Sequence, residues 1–324
     1  MKRSAKKPTG AAFARPIVLL PIVLLVLALG GWLWSLQRAA AAVANERATL
    51  LQLVADATAR VQPDANELSR LAADLTALPD HETAPDLMAA IARLELARQR
   101  PERAFAAFGV RAADPTASAA EQSLGAEILV RLHEAGSADA ATATGWLRQA
   151  AALAERAWSA NHEPADLLRL WQAATRLQDT AVVERAAQEL QTAAADSLAA
   201  RVVRLAGAFD PRQTTLADVD AVRAEFALPP PELDAIRVLL LLQSGDLRAA
   251  AAEAEALLAR APGVPAVRWA VALVFHACAL GHPEGSGERA QWLRRRDPQL
   301  DWLLERAPAD DKRRPQWSEL RRQR

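Results

Sequence analysis

The chain has 324 residues, balances 39 Lys+Arg against 39 Asp+Glu, is 51% hydrophobic and 5% aromatic, and carries one cysteine. A neutral balance excludes a dedicated nucleic-acid binder, whose footprint would be strongly basic, so no nucleic-acid partner is expected. The lone Cys278 excludes an internal disulfide framework and any multi-Cys zinc or iron–sulfur site. The chain is rich in Ala and lacks Tyr, and Arg outnumbers Lys about nine to one. Ala is the best helix former and strand-favouring residues are scarce, so the fold class expected is all-α.

At the amino end, Lys2, Arg3, Lys6, Lys7 and Arg15 stand without an acidic residue, a basic cytoplasmic tip over 1–15. From Pro16 to Leu36 about 21 residues carry no charge, roughly 30 Å of helix at 1.5 Å per residue and hence enough for a bilayer core. The span is set at 16–37, with membrane contact through Ile17 to Leu36. Trp32 and Trp34 sit at its carboxyl end, where indole rings favour the interface. Positive charge before the run, roughly cancelled by Arg38, Glu46, Arg47 and Asp56 after it, places the amino terminus in the cytoplasm and the rest outside. The expected location is therefore a bacterial plasma membrane crossed once, with an extracytoplasmic carboxyl-terminal region. Cleavage after Ala42-Val43-Ala44 is the alternative. The apolar run is longer than a signal core, and Arg38 lies between the two, which favours the retained anchor.

Beyond the anchor, helical patterns follow one another with short breaks. A helical linker region covers 38–80: Ala39 to Val61, stopped by Pro63-Asp64, then Glu67 to Leu78, with Leu68, Leu71, Leu75 and Leu78 on one face and Pro79 as stop. A repeat region over 81–306 contains Asp86–Arg98, Pro101–Ala112, Ala119–Ala135, Ala138–Ala160, Pro164–Leu177, Thr180–Ala194, Leu198–Ala206, Leu216–Leu228, Pro231–Leu242, Asp246–Arg260, Pro265–Leu280 and Ser286–Arg296. Gly136, Gly245 and Gly281 end helices; Asp114-Pro115, Asp210-Pro211, Ala261-Pro262 and Asp297-Pro298 separate them. Short joints make successive helices antiparallel neighbours, and so many in series imply a helix-pair solenoid rather than a closed bundle. A basic tail over 307–324 follows; the charge runs of 286–324, Arg294-Arg295-Arg296, Lys312-Arg313-Arg314 and Arg321-Arg322 with Arg324, are expected to form a solvated capping face, with contact to anionic lipid or an acidic partner as the alternative.

The clearest unit runs from Gln243 to Pro265 and resembles a tetratricopeptide repeat at Gly245-Asp246, Ala250, Ala254, Leu257 and Pro262. A second copy offers Ala104, Phe108 and Pro115; a third follows Leu177-Gln178-Asp179, with Val183 and Ala187. Small residues let two helices approach closely, and the proline prevents the second from continuing. The large aromatic, Gly and Tyr of the family's first helix are missing around Leu233 to Leu241. The resemblance implies an α-α solenoid whose concave surface binds peptides or partner proteins. The first helix of the last clear pair, with Leu239, Leu240, Leu241 and Leu242, reads as buried core rather than as a groove.

The sequence carries no catalytic or ligand-binding motif in a fitting context. Gly285-Ser286-Gly287-Glu288-Arg289-Ala290 fits a dinucleotide pattern in spelling, but it follows a helix rather than a strand and reads as a turn before a Ser286-capped helix. The histidines His81, His133, His162, His276 and His282 include no pair at helical ligand spacing; His276 and Cys278 point in different directions, and Cys278 reads as a small core residue. His162 and His282 read as exposed joint residues. Glu253 and Glu255 with Arg248 and Arg260 read as a solvated face. No nucleophile elbow or phosphate loop appears, so no catalytic, cofactor or metal site is expected. Trp146, Trp158, Trp171, Trp269, Trp292, Trp302 and Trp317 are expected as helix-contact anchors, with a binding edge at Trp302 and Trp317 as the alternative. The function expected is a membrane-anchored scaffold or adaptor for an unidentified protein partner in the cell envelope. A secreted repeat protein and an enzyme subunit without a motif are the alternatives.

Overall fold

The computed structural model describes the backbone of residues 15–307 and 311–323, and side chains at 29, 32–307 and 311–323. Internal contacts divide the chain into two units, residues 1–53 and 54–324. In the first, the helix α1 (Arg15–Ala59) runs through the uncharged stretch and onward, its last turn belonging to the second unit. The basic tip and most side chains of the expected 16–37 span lie outside the described residues. Among those described, no helix is long and apolar enough to cross a membrane. Trp32 and Trp34 are 60% and 59% exposed, and Arg38 lies over the Trp34 ring at 4.5 Å.

The second unit is helical throughout. It comprises α2 (Ala65–Thr76), α3 (Pro85–Ala97), α4 (Pro101–Ala112), α5 (Ala119–Ala135), α6 (Ala140–Asn161), α7 (Pro164–Leu177) and α8 (Thr180–Ala193). There follow α9 (Leu198–Gly207), α10 (Leu216–Arg223), α11 (Pro231–Gln243), α12 (Leu247–Arg260), α13 (Pro265–Leu280), α14 (Gly287–Arg306) and α15 (Arg314–Arg322). Each helix packs on the next. Odd-numbered helices from α3 to α13 also touch the next odd one, while even-numbered helices make no comparable contact with one another. The odd helices therefore form an inner row and the even ones an outer row, which is the layering of a helix-pair solenoid. Residues 54–80 belong to this unit rather than standing apart as a linker: Val54, Ala57, Leu68, Leu71 and Leu75 are buried.

Local chemistry accounts for the punctuation. Proline opens α3, α4, α7, α11 and α13, where its missing N–H is no loss. Ser118 and Glu121, and Thr215 with Asp218, close reciprocal capping boxes at α5 and α10. Three inner helices end in the same way. At Gln99, Gln178 and Gly245 the backbone turns left-handed, with φ of 58, 61 and 84°. The following N–H reaches back to a carbonyl five residues earlier: Arg100 to Glu95 at 2.8 Å, Asp179 to Ala174 at 3.0 Å and Asp246 to Leu241 at 3.2 Å. These are Schellman turns, and they fall at the three places where the sequence resembles a tetratricopeptide repeat.

Several expectations are corrected. Asp297-Pro298 does not separate helices: α14 continues through Pro298 to Arg306. A proline inside a helix costs about 3 kcal/mol. Here Arg296, Gln299, Leu300 and Leu303 are buried along the helix, so packing on both sides of the proline offsets the loss. Helix α10 ends at Arg223 instead of reaching Leu228, because a turn at Glu225 and Phe226 leads into Pro229-Pro230-Pro231 and residues before proline avoid the helical region. The charge runs are solvated only in part: Lys312, Arg313 and Arg322 are exposed, but Arg296 of α14 is 1% exposed and bonds Asp297 at 2.7 Å, Arg321 pairs with Asp297 and Asp301, and Trp317 and Leu320 of α15 are buried. The α12 charges are not a self-contained face either: Glu253 pairs with Arg237, Arg260 with Asp234, and Glu255 with Arg295 at 2.6 Å. In the third copy the buried residues are Ala186 and Leu190, while Val183 and Ala187 are only half-buried.

One long-range backbone contact draws the row together. The Gly263 N–H, in the joint between α12 and α13, donates to the Glu134 carbonyl at the end of α5 at 3.0 Å. A Cβ at Gly263 would collide with the His133 carbonyl oxygen, so the joint can dock there only with glycine. Gly263→Ala is expected to destabilise by about 3 kcal/mol, the upper end of ordinary overpacking. Gly287→Ala, where an added Cβ meets nothing within 4 Å, is expected to be neutral or slightly stabilising. Urea unfolding midpoints at constant m-value measure both.

Candidate binding groove

Burial accounts for the residues picked out by the repeat pattern. Ala104 and Phe108 of α4, and Ala250 and Ala254 of α12, are fully buried; Leu257 is nearly so. Pro115 stands exposed and Pro262 half-buried in their joints, and Gly245 forms the left-handed turn before α12. Ala104, Phe108, Ala250, Ala254 and Leu257 are thus core residues. None lines either of the two cavities described below. Cys278 is buried, and burial pushes its thiol up. Among the described residues no three His, Cys, Asp or Glu side chains gather as a metal site.

The polar feature that matters was not singled out in the sequence. Along the inner row, α5 presents Ser123, Glu127, Arg131 and Glu134 at spacings of three and four, and α7 presents Asp166, Arg169, Gln172 and Arg176 in the same register. Ser123 Oγ donates to Asp166 Oδ1 at 2.5 Å, and Arg169 bonds Asp166 at 3.0 Å and Glu127 at 2.7 Å. Deeper in, the Arg176 guanidinium, 2% exposed, donates to Glu134 of α5 at 2.8 Å and to Glu232 of α11 at 2.7 Å. Arg131 adds a bond to Glu134 at 2.9 Å and another to the Leu228 carbonyl at 3.4 Å. A seam of paired charges thus stitches three inner helices that are far apart in sequence. The available signal was charge recurring at helical spacing on otherwise apolar helices.

Beside the seam lies a cavity of about 720 Å³, bounded by α2, the end of α3 with its turn, α5 and the loop Phe226–Leu228. Its apolar lining includes Leu68, Leu96 and Phe226; its charged lining includes Arg93, Arg98, Arg100, Arg131 and Glu127. Arg98 pairs with Glu95 at 2.6 Å, and Glu127 is committed to Arg169. Arg93 and Arg100 are exposed, and no carboxylate among the described residues pairs with either. The groove therefore carries an excess of positive charge next to apolar surface. Burial acts to raise the Glu127 carboxyl, but the Arg169 and Arg131 guanidiniums outweigh it and hold it below the usual range.

Two groups give the seam a pH signature. Burial would raise the Glu134 carboxyl, yet Arg131 and Arg176 hold it at about 2. His133 is pushed down to about 3, by burial first and by Arg176 second. Unfolded, they return to about 4.5 and 6.5, so the unfolded chain binds protons more readily than the folded one. Each contribution is complete above its unfolded value and is lost on acidification: for His133 from pH 6.5 towards 3, for Glu134 from pH 4.5 towards 2. Thermal melts are expected to show Tm falling in both windows. His133→Gln flattens the first window and leaves the second. Removing one partner from the cluster leaves a buried charge, so Arg176→Ala is expected to cost about 3–5 kcal/mol, whereas replacing Glu134, Arg176 and Glu232 by Leu, Met and Leu together with Arg131→Met, which removes the other guanidinium paired to Glu134, recovers most of that loss.

No protein-family description matches the sequence, and no similar protein was found among curated ones. Among solved structures, the chain is similar to a tetratricopeptide repeat protein from Parabacteroides merdae, at 12% identity and a TM-score of 0.36, over 79% of this chain and 89% of that one. It is also similar to a thermophilic tetratricopeptide repeat protein of Thermus thermophilus, at 21% identity and a TM-score of 0.30, over 60% of this chain and 98% of that one.

Proposed function

We propose that the protein is a scaffold of tetratricopeptide type that holds a partner protein beside a membrane, and that the groove between α2, α3, α5 and the Phe226–Leu228 loop receives a segment of that partner. The carrying observation is the groove itself: about 720 Å³ of space with apolar lining, walled by α2, α3 and α5 and bearing two unneutralised guanidiniums, Arg93 and Arg100. An extended segment with an apolar side chain for Leu96 and Phe226, flanked by Asp or Glu, satisfies both chemistries.

The membrane part of the reading is supported by sequence alone. Pro16 to Leu36 is uncharged and long enough to cross a bilayer, and the basic tip before it orients the chain with its amino terminus in the cytoplasm and its helical array outside a bacterial plasma membrane.

For the groove, a photo-crosslinking residue at exposed Ser69 is expected to capture a partner in cells, and Arg93→Glu with Arg100→Glu is expected to reduce capture at least tenfold without lowering Tm. Capture indifferent to the double charge reversal would contradict the reading. For the anchor, carbonate-washed membranes are expected to retain the full-length chain, with residues 60–300 digested only from the outer side. Release by carbonate, or digestion from the cytoplasmic side alone, would contradict it.

A further inference from the structure

A second cavity, of about 230 Å³, lies where the end of α5 and the start of α6 meet α14 and α15, apart from the groove. Its walls include Leu147, Leu177, Trp302 and Trp317, with Arg148 and Arg306 also lining it. The Arg268 and Arg306 guanidiniums each stand 4.9 Å from the centroid of the Trp302 ring.

Many half-buried guanidiniums in this fold meet a carboxylate, as Arg111 meets Glu121 and Arg169 meets Glu127, although Arg314 bonds only the Leu304 and Ala307 carbonyls. Here the pattern breaks. Arg268 bonds the Pro262 carbonyl at 2.7 Å and the Gln299 side chain, and Arg306 bonds the Ala138 carbonyl at 3.1 Å. No carboxylate among the described residues pairs with Arg268, Arg306 or exposed Arg148. Burial, and then repulsion from Arg306, lowers the Arg268 pKa, as befits a place short of negative charge. Two more groups are unsatisfied. His133 Nδ1 and Trp317 Nε1 are buried without a hydrogen-bond partner; their rings line the same cavity and are 8% and 2% exposed. Buried polar groups in native proteins are nearly all paired, so two unpaired ones lining one cavity call for an explanation.

We propose that this pocket binds a monocarboxylic acid with an apolar body about the size of one amino-acid residue, its carboxylate held by Arg306 and Arg148 and its body seated against Leu147, Leu177 and Trp302. The apolar walls disfavour a strongly hydrated inorganic anion, while the excess of guanidinium groups disfavours a neutral ligand. Either a small organic acid or the C-terminal residue of a peptide presents this chemistry.

Calorimetric titration of the full chain in detergent tests it, with 3-phenylpropionate, 3-phenylpropionamide, inorganic phosphate, and the tripeptide Ala-Ala-Phe in its free-acid and amidated forms. At least one free acid is expected to bind tenfold or more tighter than its own amide and than phosphate. A preference for the tripeptide acid assigns the site to peptide C-termini; a preference for 3-phenylpropionate assigns it to small organic acids. Arg306→Gln is expected to weaken binding at least tenfold. Arg148→Gln, at an exposed position that leaves the fold intact, is expected to weaken it several-fold at unchanged Tm. Acid and amide binding alike, phosphate binding as tightly as the acids, or affinity untouched by Arg148→Gln would overturn the proposal.

Discussion

The second unit depends on one buried cation. Arg176 lies where three helices of the inner row converge, and its guanidinium satisfies Glu134 from α5 and Glu232 from α11 at once. Taking three charges out of water is costly, and the return is geometric: both carboxylates must meet one planar fork. An array of Ala- and Leu-faced helices can slide, since apolar contact is non-directional. The ion cluster fixes the register between α5, α7 and α11, and the Gly263 N–H bonded to the Glu134 carbonyl fixes the same helix end against the α12–α13 joint. The groove inherits its shape from this arrangement, because Arg131 ties the wall formed by α5 to the loop at Leu228.

The two cavities follow from one principle applied in opposite senses. Along the seam every guanidinium finds acid, and the charges serve the fold. At the groove, Arg93 and Arg100 are left over at the surface; around Trp302, Arg268 and Arg306 are left over in partial burial. Exposed excess charge costs little and attracts a partner at a distance, while half-buried excess charge is costly and calls for a ligand close by. The chain as a whole is electrically neutral, so these local imbalances do not show in its composition.

Much of the architecture was legible in the sequence, for identifiable reasons. Proline at first helical positions, glycine or a polar residue after last ones, and leucines three and four apart are local signals. They located α3 to α9 and α11 to α13 to within one or two residues. Small residues at Ala250 and Ala254 marked close helix packing because α12 lies against its two sequence neighbours, α11 and α13. Where tertiary contacts override local preference, the reading failed. Pro298 sits in a helix held by Arg296 and Leu300, and the tail arginines find partners on α14 that no spacing rule indicates. The groove was illegible for a similar reason: Arg93, Arg131 and Phe226 lie on segments far apart in sequence and meet only through tertiary packing.

The most direct measurement of the central claim is hydrogen exchange, residue by residue, comparing wild type with Arg176→Ala. If the buried cluster sets the register of the inner row, the substitution accelerates exchange at the Gly263 amide and at the start of α11, while the interior of the α12–α13 pair keeps its protection. Unchanged protection at Gly263 and α11 in a folded Arg176→Ala protein would contradict the account, because apolar packing alone would then be holding the helices in place.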